Sequence, residues 1–364
     1  MILVLAVIPA FCLLYSGEIS KKDPGETLVI SFTDFSALAD TMNEVISRAL
    51  TGLGISPDQI SSTQPKRRDN GIHGIYTQTR VRAPGNLPFA LCNLEVTKAV
   101  QRIGGKVIEG KEDGRRNTLT LTVGITDSVT ERIVVSKHSS IERLEGKAAI
   151  IVDDFGGVDN ELSRGFLGLD QSVTIAVLPN LKASKRIAEQ AHAKGREVLL
   201  HLPMEPHNSQ LDPGRGAIFV NLTPDEIKER VRESISSLPH IRGVNNHMGS
   251  KATEDETVME AVLSEVKNQG LFWVDSKTSP NSIAYDAAKA AGMKTAQSRL
   301  FLDSEPEVNK IEAKLEQLFH LATTEGHVLA ICHCRPLTLQ VLRQALPKLE
   351  KRGITFVYAS ELVE

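Results

Sequence analysis

An apolar run near the middle of the chain stops at two adjacent carboxylates. Ala148 to Val152 is apolar and leads directly into Asp153 and Asp154, which Phe155 and two glycines follow. Such a run is typical of a buried parallel strand, and in α/β proteins ligands bind at the carboxyl ends of the strands. Two neighbouring carboxylates repel each other unless a metal ion or a proton relieves them. The pair therefore marks either a functional site or a plain strand-to-turn junction, since Asp and Gly are also frequent in turns.

Polar side chains recur where further predicted strands end. They are His201 and Glu205, Asn245, Asn246 and His247, Asp275 and Lys277, Arg299 and Asp303, and finally His333 and Arg335. The strands of one barrel point their carboxyl ends at a common mouth, so these groups are expected to converge. Imidazole and carboxylate ligands suit one divalent ion such as Zn²⁺, which lowers the pKa of bound water and polarises a carbonyl. A further carboxylate would accept the water's proton, and a histidine would protonate the leaving group.

Several of these side chains allow two interpretations. Glu205 either binds the metal or orients a ligand from outside the metal's coordination sphere. Lys277 either neutralises Asp275 in a plain ion pair or binds an anionic group of the substrate. Asn245 and Asn246 either bind substrate hydroxyls or merely close the turn after their strand.

The pattern of elements between residues 145 and 364 explains why these groups would meet. Apolar strands alternate there with amphipathic helices, several of which begin at a capping residue and end at a glycine. The predicted strands are 148–152, 173–178, 196–201, 241–246, 271–275, 293–296, 328–333 and 354–358; the predicted helices are 183–194, 223–237, 254–269, 283–291, 308–323 and 336–351. Seven or eight βα units in about 215 residues are typical of a (β/α) barrel, complete or distorted.

The residues before 145 have a different pattern. Residues 26–137 read as helix, strand, helix and strands, the order of a small α+β domain. Residues 1–25 comprise an apolar segment, Met1 to Tyr15, and a polar linker. The apolar segment favours a signal peptide or the remnant of a membrane anchor, although no Lys or Arg precedes it; a buried first strand is the alternative. Export or anchoring predicts a place in the bacterial periplasm or cell envelope.

The overall composition narrows the class of partner. The 364 residues are 41% hydrophobic and 24% charged, which is near the globular average and allows two or three domains. The net charge of -3 gives no general case for nucleic acid. The local basic groups, Lys66 to Arg68 and Arg115-Arg116, favour solvated loops over a site for an anionic polymer. No protein partner can be named from the sequence.

The strand-end motifs, taken in order, resemble the divergent polysaccharide deacetylase family of bacterial envelopes. The resemblance covers residues 145 to 364 and rests on several motifs in order: Ile151-Val152-Asp153-Asp154-Phe155-Gly156, His201-Leu202-Pro203-Met204-Glu205-Pro206, Gly243-Val244-Asn245-Asn246-His247-Met248-Gly249-Ser250, Asp275-Ser276-Lys277-Thr278, Phe301-Leu302-Asp303 and His333-Cys334-Arg335-Pro336.

This resemblance implies a distorted (β/α)7-type barrel, preceded here by the small α+β domain, and metal-dependent N- or O-deacetylation. The wider carbohydrate esterase superfamily has a base Asp followed by a ligand Asp, which implies these roles for Asp153 and Asp154. Its second motif, His-x-x-x-His, reads His201-x-x-x-Glu205 here, so that His247 is expected to replace the missing ligand. The late Leu-x-His motif implies that His333 is the acid.

Three functions compete at this point. The first is a metal-dependent hydrolase, with Zn²⁺ as the expected ion, that deacetylates an envelope polysaccharide or a peptidoglycan sugar. The second is a catalytically weak or inactive glycan-binding or scaffold protein of the envelope, which the departure at Glu205 favours. The third is hydrolysis of another acyl or glycosyl bond, because paired acids also serve glycosidases.

Overall fold

A computed structural model of the chain describes residues 32–63, 77–125 and 128–364. The apolar segment and linker predicted at 1–25 lie outside these residues, as do the basic residues Lys66, Arg67 and Arg68. None of the helices in the described ranges combines the length and the apolar character needed to cross a membrane.

The first part of the described chain is a five-stranded sheet with two helices. Its elements are α1 (Phe32–Thr51), β1 (Ile60–Thr63), β2 (Thr77–Pro84), α2 (Phe89–Arg102), β3 (Lys106–Asp113), β4 (Thr118–Ile125) and β5 (Ser128–His138), in the strand order β1-β2-β5-β4-β3. Alternate residues of β2, β4 and β5 are buried, and they share one core with both helices. Ile46 of α1, Val96 of α2 and Leu121 of β4 lie in that core without solvent contact.

The second part alternates strands and helices to the end of the chain. Its elements are β6 (Gly146–Phe155), α3 (Glu161–Leu167), β7 (Thr174–Val177), α4 (Ser184–Ala193), β8 (Val198–Met204), α5 (Pro224–Ser236), β9 (Ile241–Met248), α6 (Glu256–Asn268), β10 (Phe272–Asp275), α7 (Ala284–Ala290), β11 (Thr295–Gln297), β12 (Leu300–Phe301), α8 (Val308–Glu325), β13 (His327–His333), α9 (Pro336–Arg352) and β14 (Ile354–Val357). All eight strands and six helices predicted here are confirmed, whereas the short elements α3 and β12 were missed.

These strands form one parallel sheet that curls on itself. The strand order is β11-β10-β9-β8-β7-β6-β13-β12, and β14 also pairs with β6. The chain passes from Gln297 at one end of this order to Leu300 at the other. Three residues span at most about 11 Å, so the two ends of the sheet must lie close together. The predicted barrel-type α/β fold is therefore confirmed.

The alternation of side chains along the barrel strands decides which polar groups reach the interior. Ala149, Ile151, Leu199 and Val274 belong to the core inside the curled sheet. Their alternate neighbours, such as Ile150, Leu200 and Trp273, pack against the helices. Because side chains alternate between the two faces of a strand, Asp153, His201 and His333 continue the inner rows, whereas Asp275 continues the outer row of Trp273.

Candidate active site

Three possible metal-ligand atoms converge at the carboxyl ends of β6, β8 and β9. His201 Nε2 lies 3.5 Å from Asp154 Oδ1, and His247 Nδ1 lies 3.2 Å from the same oxygen. The two imidazole nitrogens are 3.0 Å apart. All three ligand atoms lie within 4.8 Å of one another, and the described residues offer them as a group of the kind that holds a metal ion.

The donor set of this group fits a divalent cation. Asp154 Oδ1 is buried and has no hydrogen-bond partner among the residues that the structure describes. One carboxylate and two imidazoles are a usual three-ligand set for a catalytic Zn²⁺ site, which leaves a position for water. A cation between these atoms would satisfy the buried oxygen and both ring nitrogens at once.

The expected protonation states also suit metal binding. Burial lowers the pKa of His201 to about 4, so that its imidazole is neutral at pH 7. Burial alone would raise the pKa of Asp154, but the neighbouring imidazoles of His201 and His247 outweigh it and lower that pKa. A deprotonated carboxylate and a neutral imidazole are the forms that bind metals.

The backbone around Asp154 is distorted in a way that turns consecutive acids towards the site. The pairing of β6 with β7 shifts register between Val152 and Phe155, which marks a β-bulge. Asp154 has a φ of 67°, in the left-handed region that residues other than glycine seldom adopt. Bulges re-aim side chains beside active sites, and strained residues concentrate there. This bulge explains how Asp153 and Asp154 both approach His201, since a regular strand would send them to opposite faces.

Asp153 lies deeper than Asp154 and is held by an amide. Its side chain is almost fully buried, and its Oδ1 accepts a hydrogen bond of 2.9 Å from Asn245 Nδ2. Its Oδ2 lies 3.6 Å from His201 Nε2. Burial raises the pKa of Asp153, the Asn245 hydrogen bond lowers it, and the charges of Asp154 and Asp303 raise it further, with a raised pKa as the result. A carboxylate with a raised pKa is a stronger base once ionised.

His333 is oriented by a buried carboxylate. Its Nδ1 lies 2.8 Å from Asp303 Oδ1, and its backbone N–H donates to Asp303 Oδ2 at 3.0 Å. Thr338 Oγ1 donates to the same Oδ2 at 2.7 Å. Burial would raise the pKa of Asp303, but these hydrogen bonds and the His333 ring lower it. The ionised Asp303 requires a proton on His333 Nδ1, which leaves Nε2 of the partly exposed ring to exchange protons.

Comparison with known proteins identifies the family of the second part of the chain. The model of the divergent polysaccharide deacetylase family matches residues 150–363, which is more than half of the chain. The chain belongs to that family. It is 34% identical over 220 residues to the uncharacterized protein YibQ of Escherichia coli (strain K12), covering 60% of this chain and 68% of YibQ. An uncharacterized protein of Haemophilus influenzae (strain ATCC 51907) is 28% identical over 231 residues, or 63% of this chain and 82% of that protein.

A solved structure has the same barrel-type fold as this divergent polysaccharide deacetylase-family chain. It is the uncharacterized protein ATU2773 from Agrobacterium tumefaciens C58, with a TM-score of 0.58 and 23% sequence identity. The match covers 60% of this chain and 89% of that one. At this identity the likeness concerns the fold alone, so that the chemistry must be argued from the side chains.

Glu205, which stands where the resemblance implies a second histidine, is engaged away from the three converging atoms. Its Oε1 forms a 2.7 Å ion pair with Lys251 Nζ, and its Oε2 accepts the Val220 N–H at 2.7 Å. Burial alone would raise the pKa of Glu205, but these contacts lower it. Its backbone also bonds Ile218 and Lys251. Glu205 thus ties together the loops that follow β8 and β9, and the converging imidazole comes from His247.

The polar residues after β9 and β10 hold the turns beside the site. Asn246 Nδ2 donates to Met248 O at 2.8 Å, and Ser276 N–H donates to Asn246 Oδ1 at 2.9 Å. Asp275 is fully buried and accepts bonds from Lys277 N–H at 2.7 Å and Ser282 Oγ at 2.8 Å. Lys277 Nζ donates to Ser282 O, and no ion pair joins it to Asp275 in the described part of the chain. Of the two interpretations of Asn246, the structure favours the turn.

The two arginines predicted near the site lie in different places. Arg335 donates to Asp303 O at 3.0 Å and so braces the residue that orients His333. Arg299 does not join the site, which corrects the sequence-based prediction. Its guanidinium donates two hydrogen bonds, of 2.8 and 3.2 Å, to the Glu325 carboxylate. Its backbone N–H donates to Leu329 O, part-way along β13. Glu325 precedes β13, so this pair lies towards the amino ends of the strands.

Sequence reasoning missed two residues that support the site. Ser276 contacts both Asn245 and Asn246, and Thr338 in the first turn of α9 contacts Asp303. Ser276 lies inside the motif Asp275-Ser276-Lys277, so its position beside a strand end was a usable signal. Thr338 carried no such signal, because a threonine near a helix start is commonly read as part of the helix terminus.

Proposed function

We propose that the chain is a metal-dependent hydrolase that removes acetyl groups from an acetylated polysaccharide or peptidoglycan sugar of the bacterial envelope. The observation that carries this proposal is the convergence of Asp154, His201 and His247 beside the separately held Asp153. Membership of the divergent polysaccharide deacetylase family supports the substrate class. The apolar segment Met1 to Tyr15 supports a place in the periplasm or envelope.

Asp154, His201 and His247 would hold the metal, for which we propose Zn²⁺. When bound, such an ion polarises the acetyl carbonyl and makes water acidic near neutral pH. The carboxylate and the two imidazoles supply the ligands, and the buried Asp154 Oδ1 gains the partner that the described residues do not give it.

The remaining polar groups divide the proton transfers. Asp153, with its raised pKa and its oxygen 3.6 Å from His201 Nε2, accepts the proton of the attacking water. His333 presents Nε2 because Asp303 engages Nδ1, and it donates a proton to the leaving amine or alcohol. A positioned acid or base of this kind contributes about 10²- to 10⁴-fold to a rate.

The test is acetate release by the full chain, stripped of metal with a chelator and reloaded with Zn²⁺, Co²⁺ or Mn²⁺. The substrates are acetylated chito-oligosaccharides, acetylxylan and peptidoglycan fragments. We expect metal-dependent release that falls about 10²-fold or more in Asp153→Asn and His333→Gln. Asp170→Asn and His320→Gln change exposed residues and serve as matched controls.

Two outcomes would contradict the proposal. One is the absence of acetate release from the whole panel by metal-loaded protein, especially together with glycan binding, which would favour a non-catalytic binding protein. The other is product masses that correspond to cleavage of a glycosidic bond, which would indicate a different hydrolase.

A further inference from the structure

One buried amide connects the carboxylate proposed as the base to an imidazole proposed as a metal ligand. Asn245 has no solvent contact. Its Oδ1 lies 3.0 Å from His201 Nδ1, and its Nδ2 lies 2.9 Å from Asp153 Oδ1 and 3.2 Å from Ser276 Oγ. All the polar atoms of this side chain therefore face groups in or next to the site.

The partners of Asn245 allow only one orientation of its amide. Ser276 Oγ has a single proton, which it donates to Asn246 O at 2.8 Å. Its oxygen is therefore an acceptor towards Asn245, and the Asn245 atom that faces it must be the NH₂ group. The amide oxygen of Asn245 must therefore face His201.

This orientation determines the tautomer of His201. An amide oxygen only accepts, so His201 Nδ1 must carry the ring proton. In a neutral ring the lone pair is then on Nε2, the atom that faces Asp154 Oδ1 and His247 Nδ1. Metal-binding histidines commonly donate their other N–H to a protein oxygen, which fixes both tautomer and ring orientation.

We propose that Asn245 is a positioning residue that sets two groups at once: it keeps the lone pair of His201 Nε2 directed into the metal site, and it aims the carboxylate of Asp153 at the same place. The role towards Asp153 rests on the function proposed above. The role towards His201 rests on the hydrogen bonds alone and is tested without any substrate.

Two substitutions separate the two roles. Asn245→Asp keeps an acceptor for His201 Nδ1 but replaces the donor to Asp153 with a second carboxylate, which would repel Asp153 or share a proton with it. Asn245→Ala removes both contacts. Loss of a hydrogen-bond partner behind a metal-binding histidine usually costs about 10- to 100-fold in metal affinity, so Asn245→Ala should lose that much, whereas Asn245→Asp should stay within about threefold of the wild type.

Zn²⁺ affinity is measured by competition with a chelating dye, and turnover is measured on the same samples. We expect Asn245→Asp to retain Zn²⁺ and to lose about 10²-fold or more in kcat, the effect of misplacing a base. Asn93→Asp, which adds the same charge on an exposed position of α2, is the matched control and should behave like the wild type. Equal loss of Zn²⁺ affinity in Asn245→Asp and Asn245→Ala would overturn the proposal, as would wild-type kcat in Asn245→Asp.

A third measurement needs no substitution of Asn245. In the metal-free wild-type protein labelled with ¹⁵N-histidine, the nitrogen shifts and two-bond couplings of His201, assigned by comparison with His201→Ala, report which nitrogen carries the proton. The proposal requires the Nδ1–H form. The Nε2–H form would overturn it even if the protein proves to be a deacetylase. Conversely, the Nδ1–H form without any turnover would leave the His201 role intact and count only against the proposed function.

Discussion

His333 and Asp153 lie in register on the neighbouring parallel strands β13 and β6, His333 as the last residue of β13 and Asp153 two residues before the end of β6. Adjacent strands are about 4.8 Å apart, so the two side chains start from neighbouring points of the same rim. A backbone bond of 3.0 Å from Cys334 N–H to Asp153 O extends this contact beyond the paired residues. Each side chain has its own buried partner, Asp303 for His333 and Asn245 for Asp153. The arrangement holds the two groups that we propose for proton transfer independently beside one possible metal site.

Metal binding should stabilise the fold through His247. A ligand that binds only the folded state adds about 2.7 kcal/mol at a hundredfold excess over its Kd. Zn²⁺ should therefore raise the Tm of the wild-type barrel and leave His247→Ala nearly unchanged. Differential scanning fluorimetry with and without Zn²⁺ checks this, and His320→Gln is the control for loss of an exposed histidine. An equal rise of the Tm in His247→Ala would contradict the ligand assignment.

Glu205 should be dispensable for metal affinity. Both of its oxygens are used, one by Lys251 and one by the Val220 N–H, so Glu205→Gln should bind Zn²⁺ as tightly as the wild type. The same substitution weakens the link between the loops after β8 and β9, which limited proteolysis would detect as faster cleavage near residues 206–217. A loss of Zn²⁺ affinity about as large as that in His201→Ala would instead make Glu205 a ligand.

Asp303 should matter for turnover and not for metal binding. Asp303→Asn keeps the shape of the side chain but removes the charge that holds the proton on His333 Nδ1. We expect kcat to fall about 10- to 100-fold, less than the roughly 10²- to 10⁴-fold that a positioned acid contributes, because the imidazole of His333 is still present, and we expect Zn²⁺ affinity to be unchanged. Steady-state kinetics and a Zn²⁺ titration on the same preparation check both parts. An unchanged kcat would remove His333 from the proposed proton transfer.

Glu131 in the N-terminal sheet should make stability depend on pH. Burial raises the pKa of Glu131, and the hydrogen bonds from Thr79 and Asn43, which lower it, only partly offset this effect. Its Oε2 has no hydrogen-bond partner among the described residues. A carboxyl whose pKa is higher in the folded state than in the unfolded state stabilises the fold while it is protonated. This stabilisation is fully present below the unfolded-state pKa, about 4.3, and is lost as the pH rises through the folded-state pKa.

Glu131→Gln, which cannot ionise, should therefore be more stable than the wild type at pH 8, with a smaller difference at pH 4. Urea unfolding at the two pH values measures this. Glu112→Gln on the exposed strand β3 is the control and should differ little from the wild type at either pH. A wild type that is the more stable protein at pH 8 would contradict the expected direction.

The sequence predicts the barrel well because its strands are long apolar runs between capped helices. The elements it missed are short: α3 has seven residues and β12 has two, so each is too short for its period to repeat often enough to be recognised. The small strand β1 has one partly buried residue and three exposed ones, and it has no apolar alternation to reveal it.

The candidate site was predictable where strand position alone decides it. Asp153, His201 and His333 lie on the strand rows that face the interior, and the structure brings them together with Asp154 and His247. Asp275 ends its strand on the outer row. The sequence already predicts this, because Asp275 lies two residues after Trp273, which packs against the helices, and directly after Val274, which faces the interior. Arg299 and Glu205 could not be placed in this way, because their positions depend on loop paths and on partners distant in sequence, Glu325 and Lys251.

The most direct test of the proposed metal site is the location of a metal ion in crystals of the full chain grown with Zn²⁺. An anomalous difference map, measured on both sides of the zinc absorption edge, should contain one dominant peak about 2.0–2.2 Å from an Asp154 oxygen, His201 Nε2 and His247 Nδ1. Asp153 should lie beside this peak without binding it. A peak bound by Glu205, or no peak between Asp154 and the two histidines at saturating Zn²⁺, would contradict the proposed ligand set.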